Sequence, residues 1–396
     1  MANRFWVGGS GTWNASSTAN WSATSGGASG ASAPVAADFV FFDAASGTGT
    51  CTTAAGSTCS QATLNSSTLG LTLGANHTQG SSFTLTLGTL TLQTFTLSCL
   101  IFASSNTNAR TIAFGTGNIT LTGTGTVWNT DTSTGLTVTG TPVVNATNPG
   151  SIARNIVAGN TAAPAEADTV SFNVTAGTDS IAIYGRGMRD INFTGFSGTW
   201  NATGATKTLY GSLTLSTGMT ITGGAITLTF AATSGTKTIT TNGKAIDWAI
   251  TFNGVGGTFE FTDALTQGAT RTFTVTNGTV KLKNGTTNTV GAFTTGAGTA
   301  QRFLRSTVAG SQATISDASG TNTATYLTLQ DIAATGGATW NALLSSNNVD
   351  SGNNSGWNFG DYASSGLSRG VGLYAGAQGL WGGNSGLWGG FPGLQN

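Results

Sequence analysis

An all-β protein dominated by a parallel β-solenoid, β-helix-like in type, is the fold class this sequence predicts, and three observations carry it. Apolar residues alternate with period two, as in Phe83/Leu85/Leu87, Phe95/Leu97, Ile226/Leu228/Phe230, Ile246/Trp248/Ile250 and Phe273/Val275, with Thr, Ser or Gln between them. That is the pattern of a strand with one buried face. Gly, Asn-Gly and Thr-Gly steps punctuate these runs, helical spacing is nearly absent, and abundant β-branched Thr disfavours helix. Finally, the strands are short and numerous without a domain-breaking linker, and similar apolar residues recur as ladders suited to stacking coil upon coil. Spacing between apolar doublets varies, which suits a parallel β-helix with variable turns better than a strict short repeat. A tandem of antiparallel sandwiches is the competing architecture.

Composition supports a folded chain with an unusual surface. Of 396 residues, 60 are Gly, but 38% are hydrophobic, enough apolar area to offset the cost of ordering. Only 7% are charged, against about 25% in ordinary soluble domains, so Thr, Ser and Asn must supply surface solubility.

The elements are read in chain order. Residues 1–33 form a Trp/Gly-rich N-terminal cap, in which Trp6, Trp13 and Trp21 stand among Gly8, Gly9 and Gly11. Flat indoles there suit stacking on sugar rings, which makes these three the glycan-binding candidates. The alternative is that they seal the first coil, and it is preferred because an open solenoid end must be covered. Residues 34–150 are a first β module and 151–300 a second. The pattern P-x-x-A-D-x-V-x-F opens each, at Pro34 and again at Pro164, with a junction near residues 140 to 163 where Pro142 and Pro149 lie. Residues 301–360 form a closing module. Residues 361–396 are a Gly/Leu/Trp-rich tail carrying Gly-Leu-Trp-Gly-Gly twice, at Gly379 and at Gly386. Glycines make that tail costly to order without a partner, so Trp381, Leu387, Trp388 and Phe391 are the assembly or anchoring candidates.

Charge and cysteine usage exclude several functions. Net charge is zero, with 14 Lys+Arg against 14 Asp+Glu, and no basic run tracks a phosphate backbone, so nucleic acid is not an expected partner. The pairs Arg186/Arg189, Lys281/Lys283 and Arg302/Arg305 read as solvated decoration. The N-terminus shows no apolar stretch of the signal-peptide kind, and no run approaches the roughly 20 apolar residues of a membrane span. Cys51 and Cys59 are close enough in sequence for one disulfide, whereas Cys99 shares strand parity with Leu97 and Ile101 and is expected to be buried. His77, the only histidine, reads as a loop residue; no metal site and no cofactor are expected.

Catalytic patterns are weak. Glycoside hydrolysis needs two carboxyls about 5 to 9.5 Å apart. The chain has two glutamates, Glu166 and Glu260; Glu260 and Asp263 fall on opposite faces of a straight strand, and Asp247 points outward if Ile246 and Trp248 point in. A pair such as Asp247 with Asp263 would have to be assembled from different coils. No Ser-His-Asp set or phosphate loop is present, and the Asn-x-Thr/Ser matches at Asn14, Asn65, Asn118, Asn201 and Asn284 are what chance gives in so Thr-rich a chain.

Two segments carry a family resemblance. The opening R-F-W-V-G-G-S-G-T-W-N at Arg4 to Asn14, and the ending at Thr328 to Ala342 followed by D-S-G-N-N-S-G-W-N-F at Asp350 to Phe359, resemble the terminal modules of β-solenoid proteins from phage virions and bacterial surfaces. The resemblance implies a structural virion component, a fibre, spike or decoration protein exposed on head or tail. It implies partners among other virion proteins and a homo-oligomer with a trimer favoured; the outward Thr, Asn and aromatic groups of the chain suit contact with a host-surface glycan, and membrane insertion is not expected. No enzymatic activity is expected. A secreted bacterial adhesin and a polysaccharide-depolymerising tailspike are the alternatives.

Overall fold

The computed structural model describes residues 1–201, 203–204 and 206–360. They form parallel stacked coils, a β-solenoid of about 14 turns, with no α-helix among the described residues. At the usual strand spacing of about 4.8 Å, 14 turns make a rod roughly 65 Å long. Parallel ladder partners lie from 18 residues apart (Asn322 to Trp340) to 40 (Gly11 to Cys51), so coil length does vary. Every ladder is parallel except one: Asn3–Trp6 pairs antiparallel with Trp21–Ser22 at the N-terminal end. Parallel pairing of successive coils is what separates this fold from antiparallel sandwiches.

The early coils have three faces. Phe39–Phe42, Gln61–Asn65, Ile101–Ala103, Gly125–Thr132, Arg154–Ala162, Ser180–Gly185 and Thr199–Asn201 stack on the first; Gly49–Thr53, Leu69–Leu73, Arg110–Ala113 and Leu136–Thr139 on the second; His77–Gln79, Thr96–Cys99, Asn118–Leu121, Val143–Ala146, Val170–Val174 and Met188–Asn192 on the third. Ser82–Thr91 serves two faces, pairing with Ile101–Ala103 through one half and with Arg110–Ala113 through the other. Its bend is at Gly88, with φ of 101°. A Cβ there would lie 2.2 Å from the Ser66 carbonyl oxygen, so both backbone angle and space require glycine.

Ladders cross residues 140–163 without a break, because Val143–Ala146 pairs with Ser171 to Val174 and Gly125–Thr132 with Arg154–Ala162. The repeated A-D-x-V-x-F pattern proves to be a local corner. Asp38 and Asp168 each donate a backbone N–H three residues back, to Val35 and Ala165, and each carboxylate accepts a backbone N–H from the neighbouring coil, Ala2 and Val138. The strands that follow fall on different faces: Phe39–Phe42 on the first and Val170–Val174 on the third.

Inward residues form a continuous core of stacked side chains. Phe83 stacks on Phe102 at 5.7 Å and 3°, and Phe102 on Trp128 at 4.7 Å and 13°. Further along, Phe230 stacks on Phe252 and Phe273 on Phe293. Each such pair contributes about 0.5–1.5 kcal/mol beyond its area burial. The ends are closed by indoles. Trp340 and Trp357 meet at 5.0 Å against Phe293 in the last coils, and Asn354 completes the closure by accepting from the Ile332 N–H and donating to the Leu329 carbonyl.

Two expectations, those for His77 and Arg302, are corrected by this packing, and the open question of a Cys51–Cys59 bridge is answered. His77 is not a loop residue: it occupies an inward ladder position that continues as Leu97, Ile119, Val144, Phe172 and Ile191, and it is 2% exposed. Its ring lies 4.9 Å from Trp13 and its Nδ1 3.1 Å from Ser57 Oγ. Cys51 and Cys59 are not bridged; with Cys99 they are free and buried, and burial pushes the Cys59 and Cys99 thiols up to about 12, which keeps them protonated and inert. Arg302 is not solvated decoration either. It is fully buried, donating to the carbonyls of Val275, Gly296, Gly298 and Ala300 where the chain leaves the ladder between two strands.

Arg302 belongs to a set. Arg110 donates to Ser104, Asn108, Thr132 and Thr134 carbonyls, and Lys207 to those of Ile183 and Thr203. Arg154 pairs with Asp179 in a fully buried bidentate contact at 2.8 Å. Each cation is the first residue of a strand after a long turn. Where a turn strips carbonyls of ladder partners, a buried fork of N–H donors replaces them.

Candidate functional site

The three N-terminal tryptophans are part of the core. Trp6, Trp13 and Trp21 are each 0% exposed, packed edge to face at 5.1 and 5.4 Å and against Phe42, with Trp6 Nε1 donating to the Gly9 carbonyl. The glycan-binding expectation for these residues is therefore corrected: no indole face is open to a sugar ring. The glycines explain why, since a Cβ at Gly8 would lie 2.4 Å from Asn20 and one at Gly11 3.1 Å from the Trp6 ring, so the segment folds tightly over the coil end. Trp381, Leu387, Trp388 and Phe391 lie outside the described residues.

The carboxylates singled out in the sequence are all committed. Asp247 does point outward, and it receives Arg271 Nε at 2.8 Å, which holds its carboxyl below the usual carboxylate range. Glu260 pairs with Lys281 at 3.4 Å. Asp263 accepts the Thr241 and Asn242 backbone N–H groups at 2.8 and 2.6 Å, fixing a turn of the preceding coil. The three carboxylates thus take three separate structural roles.

A different region emerges on the third face, where the cross-section of the rod changes. Val170–Val174 faces Met188–Asn192 with a register shift, so that Arg189 and Asp190 oppose the single residue Ser171. This is a β-bulge, and it turns two charged side chains outward in succession. In the next coil the extra length has grown, and the strand divides into Lys207–Leu209 and Leu213–Thr214 around Tyr210. One coil later Thr227–Phe230 and Thr236–Thr240 are separated by a loop. A new corner thus grows from the bulge, while the second face ends after Leu136–Thr139, where the Pro164 to Asp168 turn packs against it.

Between these two protrusions lies a groove. Glu166, Ala167, Arg189, Tyr210, Ser234 and Lys237 line a depression of about 500 Å³. Arg189 is shared with a second depression of about 350 Å³, where Ser171, Asn173, Asp190, Asn192, Ser212 and Thr214 present hydroxyls, amides and a carboxylate. Glu166 ties the two walls together: its carboxylate takes the Thr233 hydroxyl at 2.6 Å and the Thr233 N–H, 67 residues along the chain. Asp190 is likewise committed, accepting from Ser171 Oγ and the Ser212 N–H at 2.7 Å each. The Arg189 side chain keeps one bond, from Nη2 to the Ala167 carbonyl, and the Lys237 ammonium has no hydrogen bond or ion pair among the described residues. Burial and the Glu166 carboxylate push the Tyr210 phenol up, with Arg186 acting against them.

An asparagine ladder leads into the groove from the other side. Asn145 Nδ2 donates to Asn118 Oδ1 at 3.3 Å, Asn173 Nδ2 to Asn145 Oδ1 at 2.9 Å, and Asn173 pairs in register with Asn192. Sequence reasoning noted Arg186 and Arg189 only as surface decoration and missed Tyr210 and Lys237. They belong to different coils, and only the bulge brings them together. No group of metal-ligating side chains occurs among the described residues, and no helix there is long and apolar enough to cross a membrane. Comparison with family models, curated proteins and solved structures finds no match to this chain.

Proposed function

We propose that this chain is a structural, non-enzymatic rod on the surface of a phage particle, a fibre, spike or decoration protein of head or tail. The observation that carries the proposal is the uninterrupted parallel stack closed by indoles at both ends, formed from the very segments that resemble virion and surface β-solenoid proteins. A stack of about 14 hydrogen-bonded turns is a stiff spacer. Its outward positions carry Thr in register, as at Thr229, Thr251, Thr274, Thr294 and Thr323, a polar surface whose cross-strand pairs do not depend on charge. The structural commitments of Asp247, Glu260 and Asp263 favour scaffolding over hydrolysis.

In this reading the tail attaches the rod to another virion chain through Trp381, Leu387, Trp388 and Phe391, and the rod assembles as a homo-oligomer. Mass spectrometry of purified particles tests it. The chain is expected among the virion proteins in stoichiometric amount. Absence from particles, with recovery in the bacterial envelope fraction, would replace the virion reading with a surface adhesin.

A further inference from the structure

We infer that the groove at the growing corner is a binding site for an acidic polysaccharide chain, one bearing uronic-acid carboxylates. The inference deepens the surface-rod reading by locating the contact with a glycan, and it stands on the groove itself. Arg189 and Lys237 flank Tyr210, while the acidic side chains in the same lining, Glu166 and Asp190, are occupied by Thr233, Ser171 and Ser212. Those bonds come from neutral donors and leave both carboxylates charged, so the lining is balanced overall; what they use up is the carboxylates' acceptor positions, and the free donors left facing the groove are the cationic ones of Arg189 and Lys237. Tyr210 gives a ring for the apolar face of a sugar, and the Arg189 guanidinium gives a planar fork that matches a carboxylate.

The continuation past Arg189 changes from charge to neutral donors and acceptors. Asn173, Asn192, Ser212 and Thr214 offer amides and hydroxyls at ladder spacing, which suits the hydroxyls of successive residues in a polymer better than a small molecule. A nucleic acid would demand a longer basic track than these cations provide.

Purified full-length protein is titrated with polygalacturonate, alginate and hyaluronan, with neutral dextran and dextran sulfate as comparisons. At least one uronate polymer is expected to bind, and dextran is not. Arg189→Gln, Lys237→Gln and Tyr210→Ala should each weaken binding about tenfold or more. Lys283→Gln, outside the groove, should leave it unchanged, and unfolding curves confirm that each variant is folded. Tyr210→Phe retains the ring and should retain most of the affinity. The inference is overturned if no uronate polymer binds, if the groove substitutions leave affinity unchanged, or if dextran sulfate binds as well as the uronates with no effect of Tyr210→Ala. Because purified protein is used, failure here leaves the particle test untouched.

Discussion

Acid should destabilise this protein through a single buried ring. His77 is the only histidine in the chain, 2% exposed, with Nδ1 against Ser57 Oγ and Nε2 without a partner. Burial pulls its pKa down from 6.5 to about 4. Between those values the unfolded chain takes a proton that the folded chain refuses, so stability is unaffected above pH 6.5 and falls as pH drops toward 4. By pH 4.5 the loss is about 2.5 kcal/mol, approaching roughly 3.4 kcal/mol below the folded pKa. His77→Leu continues the ladder that Leu97 begins and removes the titration. Urea unfolding at pH 7 and pH 4.5, followed by fluorescence of the neighbouring indoles, gives the comparison. The wild type should lose about 2.5 kcal/mol more than His77→Leu over that interval. Equal losses, or an NMR titration of His77 with a midpoint near 6.5, would refute the reasoning.

Other consequences follow from the buried charges, the corners and the tail. Asp179→Asn strands Arg154 without its counter-charge and should cost about 3–5 kcal/mol in chemical denaturation, whereas the half-buried surface pair of Lys281 with Glu260 should cost about 1 kcal/mol or less when broken. Gly88→Ala forces a side chain into both a positive φ and the Ser66 carbonyl, with an expected loss of about 1–3 kcal/mol or more, read in the same assay. Deleting residues 366–396 should leave the circular dichroism and unfolding midpoint of the rod unchanged while abolishing incorporation into particles; unchanged occupancy would show that another segment attaches it.

The period-two pattern made the strands legible because each strand has one buried face, and inward residues such as Phe83, Leu97 and Trp248 follow parity. The N-terminal indoles were legible as a cap because an open solenoid end must be covered. Register was not. A-D-x-V-x-F recurs in the sequence but its copies sit on different faces, since the motif encodes a corner and not a position around the coil. His77 and Arg302 were misread because polarity was taken as exposure; His77 sits in an apolar ladder and Arg302 replaces lost ladder bonds. The groove was invisible for a different reason. It depends on a one-residue bulge at Arg189 and Asp190 that enlarges over later coils, and nothing local to Tyr210 or Lys237 announces that they converge.

Cryo-electron microscopy of the particles, with the chain identified in them by mass spectrometry, bears most directly on the claim that this is a surface rod. The account predicts an outward-facing density roughly 65 Å long, made of layers about 4.8 Å apart, with a change in cross-section part-way along its length. Particles in which the chain is present but lies inside the shell, or in which no layered density of that length appears on head or tail, would contradict it.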